Sequence, residues 1–344
     1  MLAHGSETVT MAGCDAPLFL SRNGTGYYAI DYSPAEREKL RARLSDLSAA
    51  EKLSLRGNEW LLMRNLREDV GDYLALVRAM PRPAERPMVN AIAGSLDYLS
   101  DRLATDSNRI GWEKFVNEAL RGYTPRTWDA PAGETPEQRI ARAEVLWTLG
   151  EAANDPEVIA GAKKIAAQYL NDPSSVDAVV ADRALPLAAM HGDAELYDRV
   201  MQKLESAPTP ELRGRYREML TEFRDPKLVS RTIDYIFSDK TRTQDLPRMI
   251  GGLMFNPASR DAMWAAVKEH WTQIETKIPT ALGNVAGATS GFCDATSRKD
   301  VEAFFTAHPP KGGERGLRRS LESIDTCIAF REKQQKSFDA AVAP

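Results

Sequence analysis

The chain has 344 residues and a mass of 38.1 kDa, enough for two or three domains or one long repeat array. Hydrophobic residues make up 43% and charged residues 27%, which allows a buried core and excludes a disordered or collagen-like chain. With 45 basic against 49 acidic residues the net charge is −4, which argues against a dedicated nucleic-acid binder.

The first residues, Met1 to Glu7, lack the basic start and apolar run of a secretory signal. No stretch reaches the roughly 18–20 apolar residues needed to cross a bilayer, so the chain reads as soluble, of unknown compartment. Leu18-Phe19-Leu20 and Tyr27 to Tyr32 flank Asn23-Gly24-Thr25-Gly26 and predict two strands around a turn. An isolated hairpin is marginal in water, so this one belongs to a sheet mostly missing from the chain.

From residue 33 onward the pattern is helical. Ser33, Thr124, Thr135, Asp155, Asp172, Thr209, Asp225 and Asn256 each precede a proline. A capping oxygen accepts from the free amides of a helix start, and proline just after it loses no hydrogen bond. Ser33/Glu36, Ser48/Glu51 and Thr135/Gln138 have the spacing of reciprocal capping boxes. Apolar residues recur at helical intervals in 139–153 and 226–237. Residues 123–135, rich in Pro, Gly and Thr, predict a softer loop, with Trp128 its partly exposed aromatic. Most of the other tryptophans read as core anchors.

Four helix–turn–helix segments follow, with turns marked by Asp155, Asp193, Asp225 and Asn256. Their period matches helical-hairpin arrays, so residues 33–340 read as one all-α, HEAT- or armadillo-like α-solenoid. A long final helix is expected over about 317–340, after the loop 308–316.

Candidate chemistry is sparse. Histidine occurs at 4, 191, 270 and 308, without the paired spacing of a zinc-peptidase helix. Glu269-His270 beside Trp271 reads as helix surface. Cys14, Cys293 and Cys327 are too few for a disulfide scaffold. They read as buried free thiols, with one Cys293–Cys327 bridge as the alternative. Gly24-Thr25-Gly26 and Gly312-Gly313 are turn glycines rather than phosphate loops, and Asn23-Gly24-Thr25 is a formal glycosylation sequon.

Several segments together resemble one known module. Asn23 to Tyr32 is similar to the strand that ends the β-sandwich of zinc aminopeptidases of the aminopeptidase N and endoplasmic-reticulum type, with Ala29 where arginine is usual. Gly57-Asn58-Glu59-Trp60 and Gly71-Asp72-Tyr73-Leu74 resemble the first helices of the following C-terminal domain. Arg242 to Asp245, Asn256-Pro257, Trp264, His270-Trp271 (histidine replacing asparagine), Phe304-Phe305 and Ser323-Ile324-Asp325 resemble its later segments. The likeness covers about residues 17–340.

The resemblance implies that residues 1–32 end a β-sandwich domain and that 33–340 cap a peptide cavity. It implies partnership with the parent enzyme's catalytic domain and a peptide substrate. The family's zinc lies in that catalytic domain, so no cofactor and no catalytic residue is expected here. Gln244, Arg248 and Asn284 are the candidate cavity residues. The alternative is a free-standing helical-repeat module that binds a peptide or protein on its concave face.

Overall fold

The computed structural model describes residues 8, 10, 13, 16–26 and 28–343. Among them are seventeen α-helices and no strand. The helices are α1 (Pro34–Ala42), α2 (Ala49–Arg64), α3 (Val70–Ala79), α4 (Arg86–Leu103), α5 (Arg109–Leu120) and α6 (Pro136–Glu151). They continue as α7 (Pro156–Asn171), α8 (Ala178–Met190), α9 (Ala194–Glu205), α10 (Pro210–Glu222), α11 (Pro226–Phe237) and α12 (Leu246–Phe255). The last are α13 (Arg260–Glu269), α14 (Trp271–Lys277), α15 (Leu282–Ala288), α16 (Ala295–Ala307) and α17 (Glu314–Ala341).

The capping residues do what their spacing predicts. Ser33, Thr135, Asp155, Thr209 and Asp225 each accept from an amide of the α-helix they open, and Asp172 caps a short 3₁₀ turn. The boxes at Ser48/Glu51 and Thr135/Gln138 are reciprocal. At Ser33 only half forms, because the Glu36 carboxylate accepts from the Leu18 amide instead. Thr124 opens no helix. Asn256 ends α12, and its side-chain amide donates to the carbonyls of Thr221 and Phe223 at 3.0 and 3.1 Å.

All four predicted hairpin turns are present: α6–α7, α8–α9, α10–α11 and α12–α13. Helices α4, α6, α8, α10, α12 and α15 pack side by side in that order as one layer. Helices α5, α7, α9, α11 and α13 connect them as a second layer. The solenoid then closes on itself. Helix α17, about 40 Å long, packs on α15 and returns to α3 and α4. The buried Gln334 side chain accepts from the Val70 amide at 2.8 Å and donates to the carbonyls of Glu68 (2.8 Å) and Met63 (3.2 Å). Gln335 donates to the Leu103 carbonyl, and Asn108 donates to Asp339. Gly111 meets the Val342 carbonyl so closely that an added Cβ would lie 1.8 Å from its oxygen.

Three expectations need correction. The N-terminal hairpin does not form among the described residues; Tyr27 lies outside them. Around the short turn Arg22–Gly24 no backbone–backbone hydrogen bond joins the two arms among the described residues; side chains link them to each other and to the helices. The Asn58 side chain pairs with both the amide and the carbonyl of Ile30, as a neighbouring strand would, and the Leu20 amide donates to the Tyr32 hydroxyl.

The second correction is the thiols. Cys293 and Cys327 form a disulfide, because the link before α16 runs beside α17 with the two Cα atoms 5.2 Å apart. Cys14 lies outside the described residues. The third is Trp128. The loop before α6 is irregular as predicted, but Trp128 is buried, its indole N–H donates to the Val158 carbonyl at 2.9 Å, and Gly161 leaves room for the ring.

Candidate functional site

Each inner helix from α4 to α12 is followed by one outer helix that returns the chain, so the inner helices run parallel and their C-terminal ends meet. The carbonyls of helix C-termini favour cations. Three arginines collect there. Arg102 of α4 donates to the Gly291 carbonyl at 3.3 Å. Arg260, opening α13, donates to the carbonyls of Met254 (2.9 Å) and Phe255 (3.3 Å) and lies 3.8 Å from Asp101 of α4. Arg224, just past α10, pairs with Glu151 at the end of α6 at 3.1 Å. These contacts tie α4 to α13 and to the turn after α15, and α6 to α10, as a charged floor at the C-terminal ends of the inner helices.

Acidic side chains stand beside this floor: Asp97 on α4, Glu144 and Glu151 on α6, Asp182 on α8, Glu218 and Glu222 on α10. Arg183 pairs with Glu144 at 2.7 Å and Arg215 with Asp182 at 2.5 Å. Burial raises the Asp97 carboxyl well above the carboxylate range, and the nearby Glu151 charge adds to this. Burial also raises Glu151 and Glu218. Glu222 is pushed up to about 7, by burial first and by the Glu218 charge second. His191, also near Arg224, is held below the usual histidine range, by burial first.

A raised carboxyl stabilises the folded chain at low pH and loses that contribution as pH rises to its folded value. For Glu222 the window runs from the ordinary carboxylate range to about 7. Glu222→Gln is therefore expected to flatten part of the fall in melting temperature between about pH 5 and pH 7.5. Melting curves across that range check it, and parallel profiles for the two proteins would refute it.

The three candidate residues from sequence are exposed. Gln244 lies in the turn before α12, Arg248 in its first turn and Asn284 on α15. Helices α12 and α15 pack together, with Gln244 and Arg248 at the N-terminal end of α12, away from the floor. Their side chains make no hydrogen bond or ion pair with one another. The acidic floor was missed. Its signal lay in same-face spacings, Asp97/Asp101 and Glu218/Glu222 four apart and Glu144/Glu151 seven apart, which place acids on one side of a helix.

Among the described residues no group of three or more His, Cys, Asp or Glu could hold a metal ion. His270 stacks on Phe237, and His308 lies against Phe304. No helix among the described residues is long and apolar enough to cross a membrane.

A closed ring of helical hairpins defines a helical-repeat domain. The chain belongs to the family of ERAP1-like C-terminal domains, whose model matches residues 18–326. It is 22% identical over 335 residues to mitochondrial aminopeptidase 2 of Saccharomyces cerevisiae, covering 94% of this chain and 35% of that protein. Aminopeptidase M1-C of Oryza sativa subsp. japonica is 23% identical, with 89% and 36% covered. Aminopeptidase M1 of Arabidopsis thaliana is 21% identical, with 94% and 38% covered. The chain thus spans about a third of the length of these relatives and corresponds to their non-catalytic C-terminal part.

Proposed function

We propose that this chain is the cap of an aminopeptidase, closing the peptide cavity over a catalytic domain that supplies the zinc. The observation that supports this is the closed ring of helical hairpins, tied across the C-terminal ends of its inner helices by Arg102, Arg224 and Arg260. On this reading the tied end is the floor of the cavity and a peptide is presented at the other. Gln244, Arg248 and Asn284 then line the cavity away from the floor. Residues 1–32 supply the end of a preceding β-sandwich. Leu18, Leu20 and Tyr28 are exposed apolar side chains on that segment, with Leu61 of α2 also exposed, a patch suited to burial against a neighbouring domain.

The chain alone, with zinc, is expected to leave aminoacyl-p-nitroanilides intact. Mixed with the separately purified catalytic part of an aminopeptidase, it is expected to form a complex. The double variant Leu20→Asp, Tyr28→Asp should weaken that complex by at least about tenfold, since two buried anchors are lost. Turnover by the chain alone, lost on chelation and restored by zinc, would refute the reading, as would absence of a complex. A free-standing peptide-binding module is the second reading. It is favoured by the pairing of Ile30 with Asn58, which satisfies the N-terminal segment within the chain. Peptide binding by the chain with no affinity for a catalytic part would select it.

A further inference from the structure

A buried carboxyl pair lies where the ring closes. Glu59 of α2 and Glu68, in the loop between α2 and α3, are both buried and face the same guanidinium. One cation serves them. Arg37 of α1 sits 2.6 Å from Glu68, 3.9 Å from Glu59 and 3.3 Å from Asp72 of α3. Arg41 is divided between Asp72, at 3.9 Å, and Glu38, at 2.7 Å. The N-terminal segment adds Asp31, paired with Arg67, and Tyr32; from α17, Lys333 pairs with Asp69. Glu59 Oε1 and Glu68 Oε2 are both sealed from solvent and find no donor among these groups. A proton on one of the two carboxyls is the donor this cluster lacks. Burial first, and the neighbouring Glu68 carboxylate, raise Glu59 to about 8.

The same loop is the seat of α17. The Glu68 carbonyl and the Val70 amide both bond the Gln334 side chain. Leu66 holds a left-handed φ of 62°, strained for a residue with a Cβ, so the loop depends on its surroundings for its shape. The carboxyl pair grips it from one side and Gln334 from the other.

We propose that the proton on the Glu59–Glu68 pair is a latch that holds this loop as the seat of α17, so that losing the proton loosens the closure of the ring. When the loop opens, both carboxyls reach water and ionise normally, and the proton is released. The closed ring is therefore favoured most below the ordinary carboxylate range, loses ground as pH rises, and changes no further above about 8.

Hydrogen exchange of the Val70 amide in the intact chain, corrected for intrinsic exchange, reads this opening. Its opening constant should rise by up to about tenfold per pH unit between about pH 5 and pH 7.5, the limit for one proton, then level off. The amides of Ala162 and Ala166 in α7, remote from the pair, serve as the internal reference. Glu59→Gln carries its own N–H donor and should flatten the Val70 profile. Should that variant fold poorly, Glu68→Gln makes the same test from the other side, and the wild-type profile stands without either. A Val70 profile no steeper than that of α7 would overturn the proposal, and so would an unchanged slope in a folded Gln variant.

Discussion

Glu134→Ala is expected to lower the unfolding free energy by about 3–5 kcal/mol, the usual consequence of removing one partner from a buried ion pair. Arg142 of α6 is 1% exposed. Its guanidinium makes two bonds to the Glu134 carboxylate, at 2.5 and 2.9 Å, and a third to the Thr127 carbonyl at 2.7 Å. Alanine at 134 leaves that charge buried without a counter-charge, and Arg139 loses one of its two acidic partners as well. The pair also anchors the loop before α6, so the damage should spread to the Trp128 indole. A shift of the urea midpoint and a change in tryptophan fluorescence check both parts. The double replacement Arg142→Met, Glu134→Leu, which removes both charges and keeps bulk, should cost less, because neither charge is left buried alone. The Arg142 bonds hold the Glu134 carboxyl below the usual carboxylate range. This contribution is therefore present at neutral pH and lost as pH falls through the lowered value.

The repeat architecture was legible because helix starts are local. Asp155, Asp193 and Asp225 each cap within two or three residues, so one stretch of sequence holds both donor and acceptor. Contacts made across the chain were not legible. Gln334 bonds groups more than 260 residues away, and nothing near it in sequence marks it as buried. The Cys293–Cys327 bridge has the same character: both thiols were visible, but only the closure of α17 beside α16 brings them together. The N-terminal strands failed for a related reason. Alternating apolar residues fit an extended segment, and the helix side chain of Asn58 satisfies Ile30 as well as a second strand would. Acids such as Glu151 and Glu222 look like ordinary solvated helix residues until five parallel helices bring their C-terminal ends together.

Gln334→Leu is expected to destabilise the chain by about 4 kcal/mol, measured by urea unfolding. The replacement keeps most of the side-chain volume but strands three buried backbone groups, the Val70 amide and the carbonyls of Met63 and Glu68. Each stranded group costs about 1–3 kcal/mol. The disulfide gives this variant a particular signature. Cys327 lies N-terminal to Gln334 on α17 and ties the first half of the helix to the segment before α16. The half beyond it is held to α2, α3 and α5 chiefly through Gln334, Gln335, Asp339 and the approach of Gly111 to Val342. Loss of the Gln334 seat should therefore raise hydrogen exchange in residues 328–341 before it does so in 314–327. Reduction of the disulfide should then bring the first half closer to the second. Uniform exchange along α17 in the oxidised variant would show that the helix is released as one body and that closure of the ring does not centre on Gln334.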